Sequence, residues 1–200
     1  MARKSAINTV FRFRIELQDI APPIWREIEV PGTYSFWDLH VAIQDAMGWQ
    51  DYHLHAFLPI ESNDWEIGIP FDDDFPGSRE TLPGWEVPVV KHFQRAGDRM
   101  VYNYDFGDGW THDVVLEEIT ATDSKRPVAC TAGERACPPE DCGGPWGYQA
   151  LLEALADPAH EQHEDMKRWI GDTFEAERFD PAKVKFDNPT VRWNRAFKKY

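Results

Sequence analysis

Within Thr9 to Gln18 hydrophobic and polar residues alternate, with Phe11, Phe13, Ile15 and Leu17 on one side and Arg12, Arg14, Glu16 and Gln18 on the other. A period of two over this length predicts a half-buried strand. Asp19 to Pro23 carries two prolines and turns the chain. Ile24, Arg26, Ile28 and Val30 then share a face opposite Trp25, Glu27 and Glu29, until Pro31-Gly32 ends the run. The two segments pair most simply as an antiparallel hairpin. At Ser35-Phe36-Trp37-Asp38 the period changes to that of a helix. Ser35 and Asp38 have capping-box spacing, Phe36, Leu39, Ala42, Ile43, Ala46 and Met47 form one stripe, and Gly48 is placed to end the helix. Alternation returns from His53 to Ile60 and predicts a strand with Leu54, Ala56, Leu58 and Ile60 inward and His53, His55 and Phe57 on the other face. Trp65, Ile67 and Ile69 could add a short strand. Phe71 to Pro83 has too little apolar periodicity to be more than a surface excursion.

The segment Tyr102-Asn103-Tyr104-Asp105-Phe106-Gly107-Asp108-Gly109-Trp110-Thr111-His112 predicts two aromatic strands joined by a tight turn. A two-residue Asp108-Gly109 turn would set Asp105 opposite His112 but would mix the faces of the strands. A three-residue Gly107-Asp108-Gly109 loop pairs Phe106 with Trp110, Tyr104 with His112, Tyr102 with Val114 and Met100 with Leu116. The second register is favoured because a one-residue slip moves a whole apolar face to water. The second strand continues to about Ile119. Thr120 to Pro145 carries the cysteines and four prolines and reads as irregular. Helical patterning resumes with Tyr148, Leu151, Leu152 and Leu155, and again with Met166, Trp169 and Ile170 before Gly171. Asp180-Pro181 and Asn188-Pro189 each read as an N-cap followed by proline in the first helical position. These elements imply one α+β domain: a mostly antiparallel sheet of about five strands with a covering helix over 9–120, a Cys/Pro-rich loop over 121–145 and a helical segment over 146–200.

Composition narrows the function classes. A chain of 200 residues with 42% hydrophobic and 14% aromatic residues can bury a core. Its net charge of −14 repels phosphate backbones and anionic membranes. The charge is unevenly spread, however. Glu61, Asp64, Glu66, Asp72, Asp73 and Asp74 form an acidic stretch, while Lys183, Lys185, Arg192, Arg195, Lys198 and Lys199 form a basic tail against Asp187 alone. That tail could bind DNA or pair with the acidic body. The start of the chain has no signal-peptide pattern and no apolar run reaches the ~20 residues needed to span a bilayer, so a cytoplasmic location without membrane contact is expected. Three cysteines, Cys130, Cys137 and Cys142, do not suggest a disulfide framework.

Five strings together resemble one family: Pro22-Pro23-Ile24-Trp25-Arg26, Leu39 through Trp49, His53-Leu54-His55-Ala56-Phe57, the hairpin from Tyr104 to His112, and Cys137-Pro138-Pro139-Glu140-Asp141-Cys142-Gly143-Gly144-Pro145-Trp146-Gly147-Tyr148. The chain resembles the family named after the third open reading frame of an Ri plasmid (plasmid pRiA4b ORF-3-like), also known as insertion-element passenger proteins of TnpR type. The resemblance extends from about Phe11 to the Phe179-Asp180-Pro181 region. It implies an α+β fold and an association with plasmids and transposition, and no particular reaction.

Several residues carry chemistry. Asp105, Asp108 and His112, with Tyr104 beside them, could hold zinc or another divalent metal, and His53 and His55 could complete the set. A Gly-Asp-Gly turn accounts equally for Asp108, and the favoured register puts Asp105 and His112 on opposite faces. Cys130, Cys137 and Cys142 lack the paired spacing of zinc knuckles and would need a fourth ligand such as His112 or His160; buried thiols are the alternative. His160 and His163 fall one residue short of zincin spacing. Trp25, Trp37 and Trp49 could form an aromatic binding surface. The leading expectation is a non-enzymatic, mobile-element-associated accessory or interaction module with a protein partner. A metal-dependent hydrolase or nuclease built on the hairpin, and DNA binding through the basic tail, are the alternatives. If a pocket exists, it is expected where the Pro138-to-Gly144 loop meets the hairpin.

Overall fold

The computed structural model describes residues 8–70, 79–123, 127–171 and 173–198. Its centre is an open mixed sheet of eight strands: β1 (Asn8–Leu17), β2 (Trp25–Pro31), β3 (His55–Pro59), β4 (Trp65–Gly68), β5 (Glu80–Pro83), β6 (Arg99–Tyr104), β7 (Trp110–Thr122) and β8 (Ala129–Glu134). They lie in the order β5-β4-β3-β6-β7-β1-β2-β8. Every pairing is antiparallel except β4 with β5. The helices are α1 (Phe36–Met47), α2 (Gly144–Ala156), α3 (His163–Ile170) and α4 (Pro189–Phe197).

Among the described residues the sheet is therefore larger than the five strands expected, and the helices are one against the sheet, α1, and three, α2 to α4, in the segment expected to be helical. The two unanticipated strands are the edges. Glu80–Pro83 ends in proline, and Ala129–Glu134 lacks large apolar side chains. Such strands join a sheet through backbone pairing and leave little periodic signal. Residues 71–78 of the expected surface excursion, with Asp72, Asp73 and Asp74, lie outside the described residues, as does Lys199 of the basic tail.

Strands β1 and β2 pair with Phe13 opposite Ile28 and Ile15 opposite Arg26, as their alternation requires. Phe11, Phe13, Ile15 and Leu17 are buried on one face, while Arg12 pairs with Glu118 on the other. A bulge opposite Arg12 and Phe13 shifts the register against β7. Ser35 caps α1 as predicted, its hydroxyl accepting from Asp38 N while Asp38 accepts from Ser35 N, and the helix closes at Gly48. Phe36 from α1 meets Phe57 of β3 edge-on at 4.9 Å. A short 3-10 turn, Val89–Lys91, adds Val89 and Phe93 to the same core.

Strand β3 has the opposite inner face from the one its alternation suggested. His55 and Phe57 meet side chains of α1, and Leu54 and Ile60 are exposed. Residues His55 to Leu58 are all buried, so both faces of this central strand are covered and alternation no longer reports direction. The C-terminal elements dock on α1: Trp193 stands edge-on to Trp37 at 5.3 Å, and Arg192 pairs with Asp45 at 2.5 Å. The proposed tryptophan surface is not one. Trp37 and Trp49 are buried, and Trp25 lies under the Arg14 guanidinium.

Candidate metal centre

The hairpin differs from its expected register by two residues. Tyr104 pairs with Trp110 and Tyr102 with His112, leaving a five-residue loop from Asp105 to Gly109. Tyr102, Tyr104, Trp110 and His112 still share the inner face, because an offset of two preserves the side-chain parity on which the prediction rested. The extra loop length comes from Asp105. Its backbone is left-handed at φ 54°, and its N–H donates to Leu54 O at 2.9 Å. Its Oδ1 accepts from Gly107 N at 3.0 Å and Asp108 N at 3.3 Å, and its carbonyl accepts from Gly109 N at 2.6 Å. Asp105 thus builds the turn with one carboxylate oxygen and leaves Oδ2 for other work.

That second oxygen lies 3.5 Å from His53 Nε2, which in turn lies 2.9 Å from Asp141 Oδ1. His53, Asp105 and Asp141 come from three separate connections, and one ligand atom from each falls within a span of 4.8 Å. Asp105 is nearly buried, His53 half-buried and Asp141 exposed, so the cluster opens outward. Beneath it, the Tyr104 hydroxyl donates to Glu140 Oε1 at 2.5 Å and accepts from Tyr52 N at 3.1 Å. Burial and the Glu140 carboxylate push the Tyr104 pKa far up, so the phenol stays protonated. Glu140 Oε2 accepts from Gln50 N at 3.2 Å, and Trp49 Nε1 donates to Pro138 O at 2.9 Å.

The Pro138-to-Gly144 loop is also fixed to the hairpin directly. Asp108 Oδ2 accepts from Gly143 N at 3.0 Å. Two glycines make this approach possible. A Cβ on Gly144, whose φ is +70°, would lie 2.2 Å from Asp108 O, and one on Gly147 would lie 1.9 Å from Cys142 O. Only glycine lets these backbones come so close.

A second group, His40, Asp51 and His55, lies deeper. The His40 and His55 rings stack at 3.5 Å and 7°. His40 donates from Nε2 to Asp51 Oδ1 at 2.9 Å, and its Nδ1 accepts from the Tyr102 hydroxyl at 2.8 Å; that oxygen accepts from Gln44 Nε2 at 2.9 Å. Burial and the adjacent His40 hold the His55 pKa well below the ordinary range, which keeps the His55 ring neutral. Both nitrogens of His40 are engaged, and a metal there would have to displace one of these bonds. In the outer cluster a metal would displace only the bond between His53 Nε2 and Asp141 Oδ1, which joins a half-buried side chain to an exposed one.

The sequence candidates therefore separate. Asp105 and His53 meet in the outer cluster, with Tyr104 supporting it. His55 belongs to the inner group, and Asp108 anchors the loop. His112 is fully buried, its Nδ1 donating to Tyr102 O at 3.1 Å and its Nε2 unpartnered, and burial pushes its pKa down to about 4. Cys130, Cys137 and Cys142 are free thiols and join neither group. Burial raises Cys130 to about 11, Cys142 to about 12 and Cys137 further. His163 bonds Ala154 O at 2.9 Å, and His160 accepts from Gln162 N. Residues that the pattern did not single out are Asp141, which completes the outer cluster, and His40 and Asp51 of the inner one. Asp141 could have been flagged by its place in the Pro138-to-Gly144 string; Asp51 offers no such signal.

The fold and site define an α+β protein that carries an open His/Asp cluster where three connections meet beside its central strands. The chain belongs to the plasmid pRiA4b ORF-3-like protein family, whose model matches residues 9–183. It is 34% identical over 194 residues to "Uncharacterized protein y4hQ" of Sinorhizobium fredii (strain NBRC 101917 / NGR234), covering 94% of this chain and 96% of that protein. It is also similar to a crystal structure of a protein of unknown function, MM3350 from Methanosarcina mazei Go1, with a TM-score of 0.80 and 39% identity over 90% of this chain and 100% of that one. No helix among the described residues is long and apolar enough to cross a membrane.

Proposed function

We propose that this protein is a divalent-metal-dependent hydrolase whose ion is held by His53, Asp105 and Asp141. The observation that carries the reading is the convergence of one imidazole and two carboxylates, with His53 Nε2 at 2.9 Å from Asp141 and 3.5 Å from Asp105. One nitrogen and two oxygen ligands suit zinc or manganese, and three protein ligands leave a coordination position open. A metal there would supply an activated water at neutral pH. Asp105 is oriented by the turn it caps, and His53 is held between the two carboxylates. Asp141 is carried by a loop that Glu140 and Asp108 tie to the body. Exposed Tyr52 and Phe106 directly adjoin His53 and Asp105 in the chain, and Trp146 opens α2 behind the loop, which offers apolar surface to an organic substrate.

This reading replaces His112 and Asp108 of the hairpin with His53 and Asp141. DNA binding by the tail is less favoured because Arg192, its most buried cation among the described residues, pairs with Asp45 and Asp187. The decisive experiment is metal analysis of protein purified without a histidine tag, with calorimetric titration of zinc and manganese, followed by hydrolysis of bis-p-nitrophenyl phosphate and p-nitrophenyl acetate. One equivalent of metal is expected, lost in Asp105→Asn and His53→Ala. Absence of binding, or binding unchanged in Asp105→Asn, refutes the site. Stoichiometric metal with no hydrolysis of either ester would refute the enzyme and return the protein to a metal-stabilised accessory module.

A further inference from the structure

On the side of α1 that faces the C-terminal chain, a cavity of about 550 Å³ is lined by residues 45–48 at the end of α1, the 136–137 segment and residues within 173–185. At its base lies Arg26, which is 1% exposed and has no carboxylate partner among the described residues. Its Nε donates to Ala46 O at 2.9 Å, and its Nη1 donates to Trp25 O at 2.8 Å and Glu134 O at 2.9 Å. Phe179 covers the guanidinium face at 3.6 Å. Nη2 has no hydrogen-bond partner among the described residues. A buried cation satisfied only by carbonyls is an uncommon expense in a protein with 35 carboxylates. Burial lowers the pKa of Arg26, as expected for a charge left without a counterion.

The acids around the cavity are already committed. Asp45 pairs with Arg192, Glu175 with Arg178, and Asp180 Oδ1 caps Ala182 N. Lys183 and Lys185 line the same cavity without an ion pair among the described residues. Met47, Phe174 and Val184 supply apolar wall. The volume falls within the range of pockets that hold small organic ligands.

We infer that this cavity binds a small phosphate monoester, its dianionic head between Arg26 Nη2, Lys183 and Lys185 and its organic part against Met47, Phe174 and Val184. Three cations match a dianion better than a monocarboxylate, and charge-assisted hydrogen bonds are about twice as strong as neutral ones. The site is independent of the His53 cluster.

The test is isothermal titration of the full chain with phenyl phosphate, inorganic phosphate and benzoate, all in EDTA so that no metal at the His53 cluster contributes. Phenyl phosphate is expected to bind saturably, more tightly than inorganic phosphate, with benzoate weaker than both. Lys183→Ala/Lys185→Ala, two exposed positions, should weaken phenyl phosphate by about tenfold or more. Arg26→Lys, which keeps the charge but loses the Nη2 donor, should weaken it as well, with folding checked by tryptophan fluorescence. No saturable binding of phenyl phosphate, affinity unchanged in the double lysine variant, or benzoate binding as tightly as phenyl phosphate would each overturn the inference.

Discussion

His112 provides a quantitative handle on the core. It is fully buried, donates from Nδ1 to Tyr102 O, and leaves Nε2 without a partner. Burial depresses its pKa from 6.5 to about 4, so the native state holds the ring neutral while the unfolded chain protonates it at ordinary pH. Between those values the unfolded state binds more protons, and stability must fall as pH falls. The interval is about 2.5 pH units, and at about 1.4 kcal/mol per unit the loss attributable to this one side chain is roughly 3 kcal/mol by pH 4. Above pH 6.5 the contribution is complete and flat. His112→Asn isolates it, since the Asn amide nitrogen can occupy the Nδ1 position and donate to Tyr102 O without titrating. The variant should lose about 1–3 kcal/mol at pH 7.5 from the cavity left behind. Its stability should then decline less steeply than that of the parent between pH 6.5 and 4. Urea unfolding followed by tryptophan fluorescence across that range gives both slopes. Carboxylates and His55 titrate in both proteins, so the difference between the slopes is the measured quantity. Parallel slopes would refute the assignment of a depressed pKa to His112.

Other consequences follow from the same contacts. Gly144→Ala should cost more than about 2 kcal/mol and abolish metal binding in the titration above, because its Cβ would meet Asp108 O at 2.2 Å. Tyr104→Phe removes the hydroxyl that joins Glu140 to Tyr52 N; a loss of about 1–3 kcal/mol is expected in urea unfolding, with metal affinity reduced but not lost. Ser35→Ala should cost about 1 kcal/mol through the capping box alone, with metal affinity unaltered. The raised thiol pKa values of Cys130 and Cys142 predict slow alkylation by iodoacetamide at pH 8 in the native protein and rapid alkylation in urea, followed by mass spectrometry.

What the amino-acid sequence determined by itself is local. The alternation from Thr9 to Gln18 required a strand, the Ser35/Asp38 spacing required a capped helix, and Asp180 and Asn188 cap the elements that follow them. Each of these signals is generated within one turn or one strand, where steric and hydrogen-bond rules act between near neighbours. Parity in the aromatic hairpin was also legible, and it placed Tyr102, Tyr104, Trp110 and His112 on one face. The offset was not, because registers two residues apart keep Tyr102, Tyr104, Trp110 and His112 on the same face, and Asp105, folding its carboxylate back onto the loop, leaves Phe106 outside the pairing. Edge strands β5 and β8 escaped because their pairing runs through the backbone. The candidate site is almost wholly a product of tertiary structure. His53 and His55 are two residues apart, yet one closes the outer cluster and the other stacks on His40. Asp141 reaches His53 across 88 residues of chain because Tyr104, Trp49 and Asp108 each hold its loop against the sheet. No periodicity records such a meeting, since it depends on where the loops of a finished sheet come together.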